Sequence, residues 1–337
     1  MAPKSHIALE PGVKVAVQMP PEPTEAELQF AQQMGVKYTV LWGGVKEATY
    51  DYYMGRREVF EAAGIQIYGA SHGVSDMDAI ILNLPNRDER IEDYKRNLRE
   101  MGRAGIPYTT HSHVANGVWC TPHEQTRGGA PARAFDETRL GEAVGLDGKP
   151  KQEGLSHGRT YSEAELWDYY EHFVKQIGPA AEDAGVMVGI HPDDPPGIEL
   201  GGIPRNIFSS FDGFKRALEV TDSPNIGMCL CTGCWLEGGK RMGKDVIETV
   251  KYFSAQEKIF EVHFRTVNQP LPHFTEAFID DGYFDMYKVV KALTETGFRG
   301  VLIPDHIPLM AGDARVGTAY SIAYMKAMQR RAQEETR

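Results

Sequence analysis

Four short apolar runs in the second half of the chain finish at residues that bind metals. VMVGIH (186–191), NIGMCLC (225–231), IFEVHF (259–264) and VLIPDH (301–306) carry His191, Cys231, His263 and Asp305 at or beside their ends. Two imidazoles, a thiolate and a carboxylate suit a first-row divalent ion with mixed nitrogen, sulfur and oxygen ligation. A lone buried histidine is usually a satisfied core residue, and a lone cysteine a small hydrophobe. Four such donors at equivalent places in successive runs argue instead for one centre. Arg265 lies two residues beyond His263, on the same strand face, where its guanidinium could clamp a carboxylate or form a rim salt bridge. His306 follows Asp305 directly. Cys229 shares the face of Cys231 one step deeper. A separate zinc site from Cys229, Cys231 and Cys234 lacks a second cluster at recognisable spacing. His72, His111, His113, Trp42, Trp119 and His123 are candidates for pocket lining or ordinary loop and core roles. Asp193 and Asp194 in HPDDPP either face substrate or bond their own turn.

These residues need a scaffold that brings strand ends together. Four earlier runs, VKVAVQ (13–18), KYTVLW (37–42), IQIYGA (65–70) and IPYTTH (106–111), raise the number of β-rich segments to eight. Most are continuously apolar, as expected of parallel strands covered on both faces. Helical patterns such as TEAELQFAQQM and SEAELWDYYEHFVKQIGPAAEDAG separate them, several closing on a glycine. This alternation predicts a (β/α)8 TIM barrel, in which catalytic groups gather at the C-terminal strand ends; a doubly wound open sheet is the alternative. We read residues 1–337 as a single domain. The polar stretch at about 112–160 is an insertion after the fourth strand, expected to be a disordered loop, a lid or a contact to a neighbouring subunit.

Composition sets limits on partners. With 42% hydrophobic and 25% charged residues the chain reads as soluble and globular. A formal net charge of −11 disfavours nucleic acid and anionic membrane surfaces, while a small anionic substrate remains compatible because a bound divalent ion dominates its own surroundings. The absence of a signal-like apolar segment or a run of about 18 apolar residues points to the cytoplasm, and to reduced thiols.

HPDDPP (191–196), GIPR (202–205), CTG (231–233), HFR (263–265), FTEAFIDDGYFDMYKVVKA (274–292), PDH (304–306) and Tyr320 together resemble the mannonate dehydratases, sugar-acid lyases with a xylose isomerase-like barrel. The resemblance covers roughly the C-terminal half. It implies that His191, Cys231, His263 and Asp305 ligate Mn2+ or Fe2+, with Zn2+ or Co2+ as alternatives. It also implies that Arg265, His306 and Tyr320 face the substrate; a general acid and a general base are needed, and we expect His306 and Tyr320 to fill the two roles in either order. The implied reaction is loss of water from D-mannonate to give 2-keto-3-deoxy-D-gluconate. We expect His111, His113, Trp119 and Asp193 as further substrate contacts. Departures from the family pattern surround the metal set. Ile303 replaces an arginine before PDH, Pro308 stands where a second histidine is usual, and ANGV precedes Trp119 where the family has an aspartate. These changes favour a related sugar acid or oxidised sugar as substrate. A metal-dependent sugar isomerase or epimerase, and a non-catalytic sugar-binding barrel, are the other readings. Barrels of this lineage often form homo-oligomers, although no surface patch can be read from the sequence.

Overall fold

The computed structural model describes residues 12–43, 47–71, 73–151 and 154–336. All eight runs form parallel strands of one sheet. They are β1 in two pieces (Lys14–Val15 and Val17–Met19), β2 (Tyr38–Leu41), β3 (Gln66–Ala70), β4 (Tyr108–Ser112), β5 (Met187–His191), β6 (Ile226–Cys231), β7 (Ile259–Phe264) and β8 (Val301–Pro304). Strand order follows the chain from β2 to β8. The two pieces of β1 close the ring, Lys14–Val15 pairing with Val301 and Leu302, and Val17–Met19 with Thr39–Leu41. Ala16 between them donates its N–H to the Leu302 carbonyl. Closure satisfies both sides of every strand, which a doubly wound sheet with two open edges does not.

Local sequence explains the helices that return the chain between strands. Thr24 with Glu27, Ser162 with Glu165, and Asp245 with Glu248 form reciprocal capping boxes at three helix starts. The helix Glu163–Ala184 buries Leu166, Tyr170, Phe173, Ile177 and Ala181 at three- and four-residue spacing, and stops at Gly185, whose φ of 67° suits a residue without a Cβ. The main apolar layer lies between such helices and the sheet. A smaller cluster of Ala16, Val40, Tyr68, Tyr108, Phe260, Val301 and Ile303 fills the barrel interior. No helix among the described residues is long and apolar enough to cross a membrane.

The insertion after β4 is ordered where a structureless loop was one expectation. Thr121–Thr126 and Ala130–Asp136 form a hairpin that turns through Gly128 and Gly129, both with φ near +70°. Ala130–Asp136 pairs antiparallel with His273–Ala277, which pairs with Thr266–Val267. Phe135 sits opposite Phe274, their rings stacked at 6.1 Å. Leu309 donates its N–H to the Pro131 carbonyl at 2.9 Å. The hairpin thus docks on the segments that follow β7 and β8, at the C-terminal end of the barrel.

Candidate metal centre and active site

His191 is the last residue of β5, and its Nδ1 lies 2.7 Å from the Pro192 carbonyl. A proton held there leaves Nε2 as the bare lone pair a metal needs. Cys231 ends β6, pairs in register with His263 of β7, and caps the helix Thr232–Gly238. The His191 and His263 rings lie 5.0 Å apart, and His263 Nδ1 is 3.7 Å from Asp305 Oδ2 just beyond β8. Burial opposes ionisation of Cys231, but Cys234, Arg265 and His191 outweigh it and hold the thiol well below the ordinary range. Burial likewise opposes the Asp305 carboxylate, and His306, His263 and Arg265 more than compensate. His263 is pushed above its usual value, Cys229 and Asp305 overcoming its burial. A divalent ion would replace the proton that these anions hold on the ring.

An ionic network supports this set. Arg265 is buried and spends its donors on protein: Nε to Asp305 at 3.1 Å, Nη2 to Asp194 at 2.9 Å and to Cys234 Sγ at 3.3 Å, and Nη1 to Glu237. Gly233 of the CTG motif makes room for it, since a Cβ there would overlap the guanidinium. Arg133 reaches in from the hairpin and bonds Glu276 at 2.6 Å, and Asp194 and Glu237 at 2.8 Å each. Burial, with Asp194 close by, pushes Glu237 up to about 7. Buried Asp194, Glu237, Glu276 and Asp305 share two guanidiniums, with His306 and His263 beside Glu276 and Asp305. His306 sits beside this network with a left-handed φ of 40°. Its Nδ1 is 2.8 Å from Glu276 Oε1 and its Nε2 3.8 Å from Asp305 Oδ1. A cavity of about 370 Å³ between hairpin and β8 segment is lined by His123, Arg133, Glu276, His306 and Leu309. Trp42, half exposed, stands edge-on to His263 at 6.3 Å.

The remaining candidates lie elsewhere. Tyr108 and Thr110 turn their hydroxyls into the barrel toward Glu261, so His111 of the same strand faces outward. It stacks on Phe173 at 5.0 Å, and His113 packs against Tyr170, Phe173 and Phe208. Trp119 is buried, its Nε1 bonded to Asn116 Oδ1 at 3.2 Å. Asp193 accepts from Ser209 Oγ at 2.7 Å, behind the β5 turn, whereas Asp194 joins the network. Tyr320 contacts Asp280 and Arg127 and packs on Phe278, two residues past the Glu276 that holds His306. His72 lies outside the described residues. Cys229 faces Glu261 and His263 while Cys231 faces His191, and no close ligand group among the described residues holds all three of Cys229, Cys231 and Cys234. The sequence reading passed over Arg133, Glu237, Glu261 and Glu276. Glu276 had a usable signal, its place in FTEAF, and Glu261 another, its i, i+2 relation to His263.

A closed parallel barrel whose last four strands deliver imidazole, thiolate and carboxylate beside a histidine–glutamate pair has the architecture of the metal-dependent xylose isomerase-like enzymes. The model of the D-mannonate dehydratase family (UxuA) matches residues 41–334, and the chain belongs to that family. It is 30% identical over 307 residues to a mannonate dehydratase of Streptococcus pneumoniae, covering 83% of this chain and 82% of that protein. The crystal structure of the mannonate dehydratase of Streptococcus suis serotype 2 superposes with a TM-score of 0.82 at 26% identity, over 96% of this chain and 95% of that one. A xylose isomerase domain protein from Planctomyces limnophilus, 13% identical, shares the fold with a TM-score of 0.60 over 96% of this chain and 99% of its own.

Proposed function

We propose that this protein is a hydro-lyase acting on D-mannonate or a closely related sugar acid, with Mn2+ or Fe2+ held by His191, Cys231, His263 and Asp305. What supports the reading is membership of the mannonate dehydratase family, with His191 close to Cys231, His263 Nδ1 3.7 Å from Asp305, and His306 alongside. The ion, when bound, supplies the Lewis acidity that stabilises charge on substrate oxygens as the C2 proton leaves and the C3 hydroxyl departs.

The chain's own residues do the rest. Glu276 fixes the His306 imidazole through Nδ1, leaving Nε2 on the Asp305 side for proton transfer. The family resemblance, not a contact to the site, makes Tyr320 the second proton-transfer group, its hydroxyl here meeting Asp280 and Arg127; one of the two would take the C2 proton and the other protonate the leaving hydroxyl. Arg265 positions Asp305 rather than clamping substrate, because its donors are already engaged. The hairpin and Trp42 wall the site and limit access of water. Ile303, opposite His263 in register, makes the interior next to the metal apolar, and this supports an acid that differs from mannonate in the group lying there.

The test is to reconstitute the purified protein with Mn2+ and assay a panel of aldonic and uronic acids for 2-keto-3-deoxy acid. Product from one or more acids, abolished by chelation, is expected. Stoichiometric metal with no product from any acid, together with isomerised neutral sugars, would replace the lyase reading with an isomerase.

A further inference from the structure

We infer that Glu261, on the floor of the barrel, is the positioning residue that directs Nδ1 of His263 to the metal, an inference that rests on the ligand set proposed above. Glu261 precedes His263 by two residues on β7, so both side chains point into the barrel. Its carboxylate is fully buried, and Oε2 accepts hydrogen bonds from Tyr108 and Thr110 of β4 at 2.8 Å each, with Cys229 Sγ at 3.5 Å. The same oxygen lies 3.4 Å from His263 Nε2, an ion-pair distance, and that nitrogen makes no hydrogen bond among the described residues. Oε1 has no hydrogen-bond partner among the described residues.

The buried Glu261 carboxylate has Oε2 bonded to two hydroxyls and Oε1 without a hydrogen-bond partner among the described residues. The arrangement makes sense for a ligand. An imidazole that binds metal through one nitrogen carries its proton on the other, and an anionic acceptor there fixes the tautomer and raises the basicity of the ligating atom. His263 has Glu261 at Nε2 and Asp305 at Nδ1. His191 is arranged in the opposite sense, with the Pro192 carbonyl at Nδ1. The two histidines thus present different nitrogens to one point, and His263 alone has a charged partner behind it.

The experiment uses full-length protein with Glu261→Gln, which keeps shape and removes charge. Mn2+ affinity is measured by chelator competition, alongside the unfolding midpoint of the metal-free protein. We expect affinity to fall by about 10- to 100-fold whatever the change in the metal-free midpoint. Unchanged affinity with a lowered midpoint would reduce Glu261 to a structural role and overturn the inference. So would two metal equivalents per wild-type chain with one lost in Cys229→Ala, because Cys229, Glu261 and His263 would then be a site of their own. Should Glu261→Gln fail to fold, nitrogen-15 NMR of histidine-labelled wild type loaded with Zn2+ gives the tautomer directly. Protonated Nε2 on His263 is expected, and metal on Nε2 overturns the inference. Wild type that binds no metal at all would refute the ligand set itself, a result separable from the others.

Discussion

His306 holds its ring on a backbone with φ of 40°, a conformation that costs a non-glycine residue energy unless its surroundings enforce it. Glu276, itself gripped by Arg133, is what enforces it here. His306→Asn should therefore lower kcat by about 10²- to 10⁴-fold with metal content intact, and Tyr320→Phe should lower it over a similar range with little change in fold. Retention of near wild-type turnover by either variant in steady-state assays would remove that residue from proton transfer. His113 gives a prediction about stability. Burial among aromatic rings pushes it down to about 3, so the folded state keeps it neutral while the unfolded chain takes up a proton below about 6.5. Stability is then lost as pH falls from about 6.5 toward 3, at about 1.4 kcal/mol per pH unit. Between pH 7 and 5, urea melts should show wild type losing about 2 kcal/mol more than His113→Leu; equal losses would contradict the assignment. At this scale the positions of His191, Cys231, His263 and Asp305 at or beside strand ends were legible from the apolar runs that carry them. His111 was misjudged because strand parity is set by Tyr108 and Thr110, whose inward direction depends on a partner, Glu261, on another strand.

At the scale of elements, the hairpin of Thr121–Thr126 and Ala130–Asp136 ties the insertion to the chemistry. Arg133 is its inward anchor, and each of the three carboxylates it bonds is buried. Arg133→Met removes the guanidinium and leaves Glu276 and its neighbours short of positive charge, a loss expected to cost about 3–5 kcal/mol. Urea unfolding with an unchanged m-value checks this, and a cost below about 1 kcal/mol, the level of a surface pair, would show that the network does not depend on the hairpin. The eight strands and their helices were readable because each rests on local pattern, a continuous apolar run or a capping box. The hairpin was not. Its buried residues include Ala132 and Ala134, poor strand formers, and its pairing partner Phe274 lies far along the chain from Phe135. Only tertiary pairing turns that polar stretch into sheet.

Across the whole molecule, the barrel collects carboxylates at its C-terminal end, held by two guanidiniums and by His306 and His263. A divalent ion that binds the folded state alone should raise the thermal midpoint, with free Mn2+ at about 100 times its Kd adding about 2.7 kcal/mol. Calorimetry with and without a chelator checks this, and a midpoint indifferent to metal would count against a centre built into the fold. The general architecture and the reaction class were legible from strand-end residues and family motifs together. The acid that fits was not, because Ile303 and the cavity walls act through shape, which a linear sequence does not display.

The most direct test of the central claim is an anomalous difference map recorded at the manganese edge from crystals of Mn2+-loaded protein. The account predicts one strong peak per chain bounded by His191, Cys231, His263 and Asp305, with His306 beside it. A peak at Asp194, Cys234 and Glu237 instead, or no ordered peak in protein that carries stoichiometric metal, would contradict it.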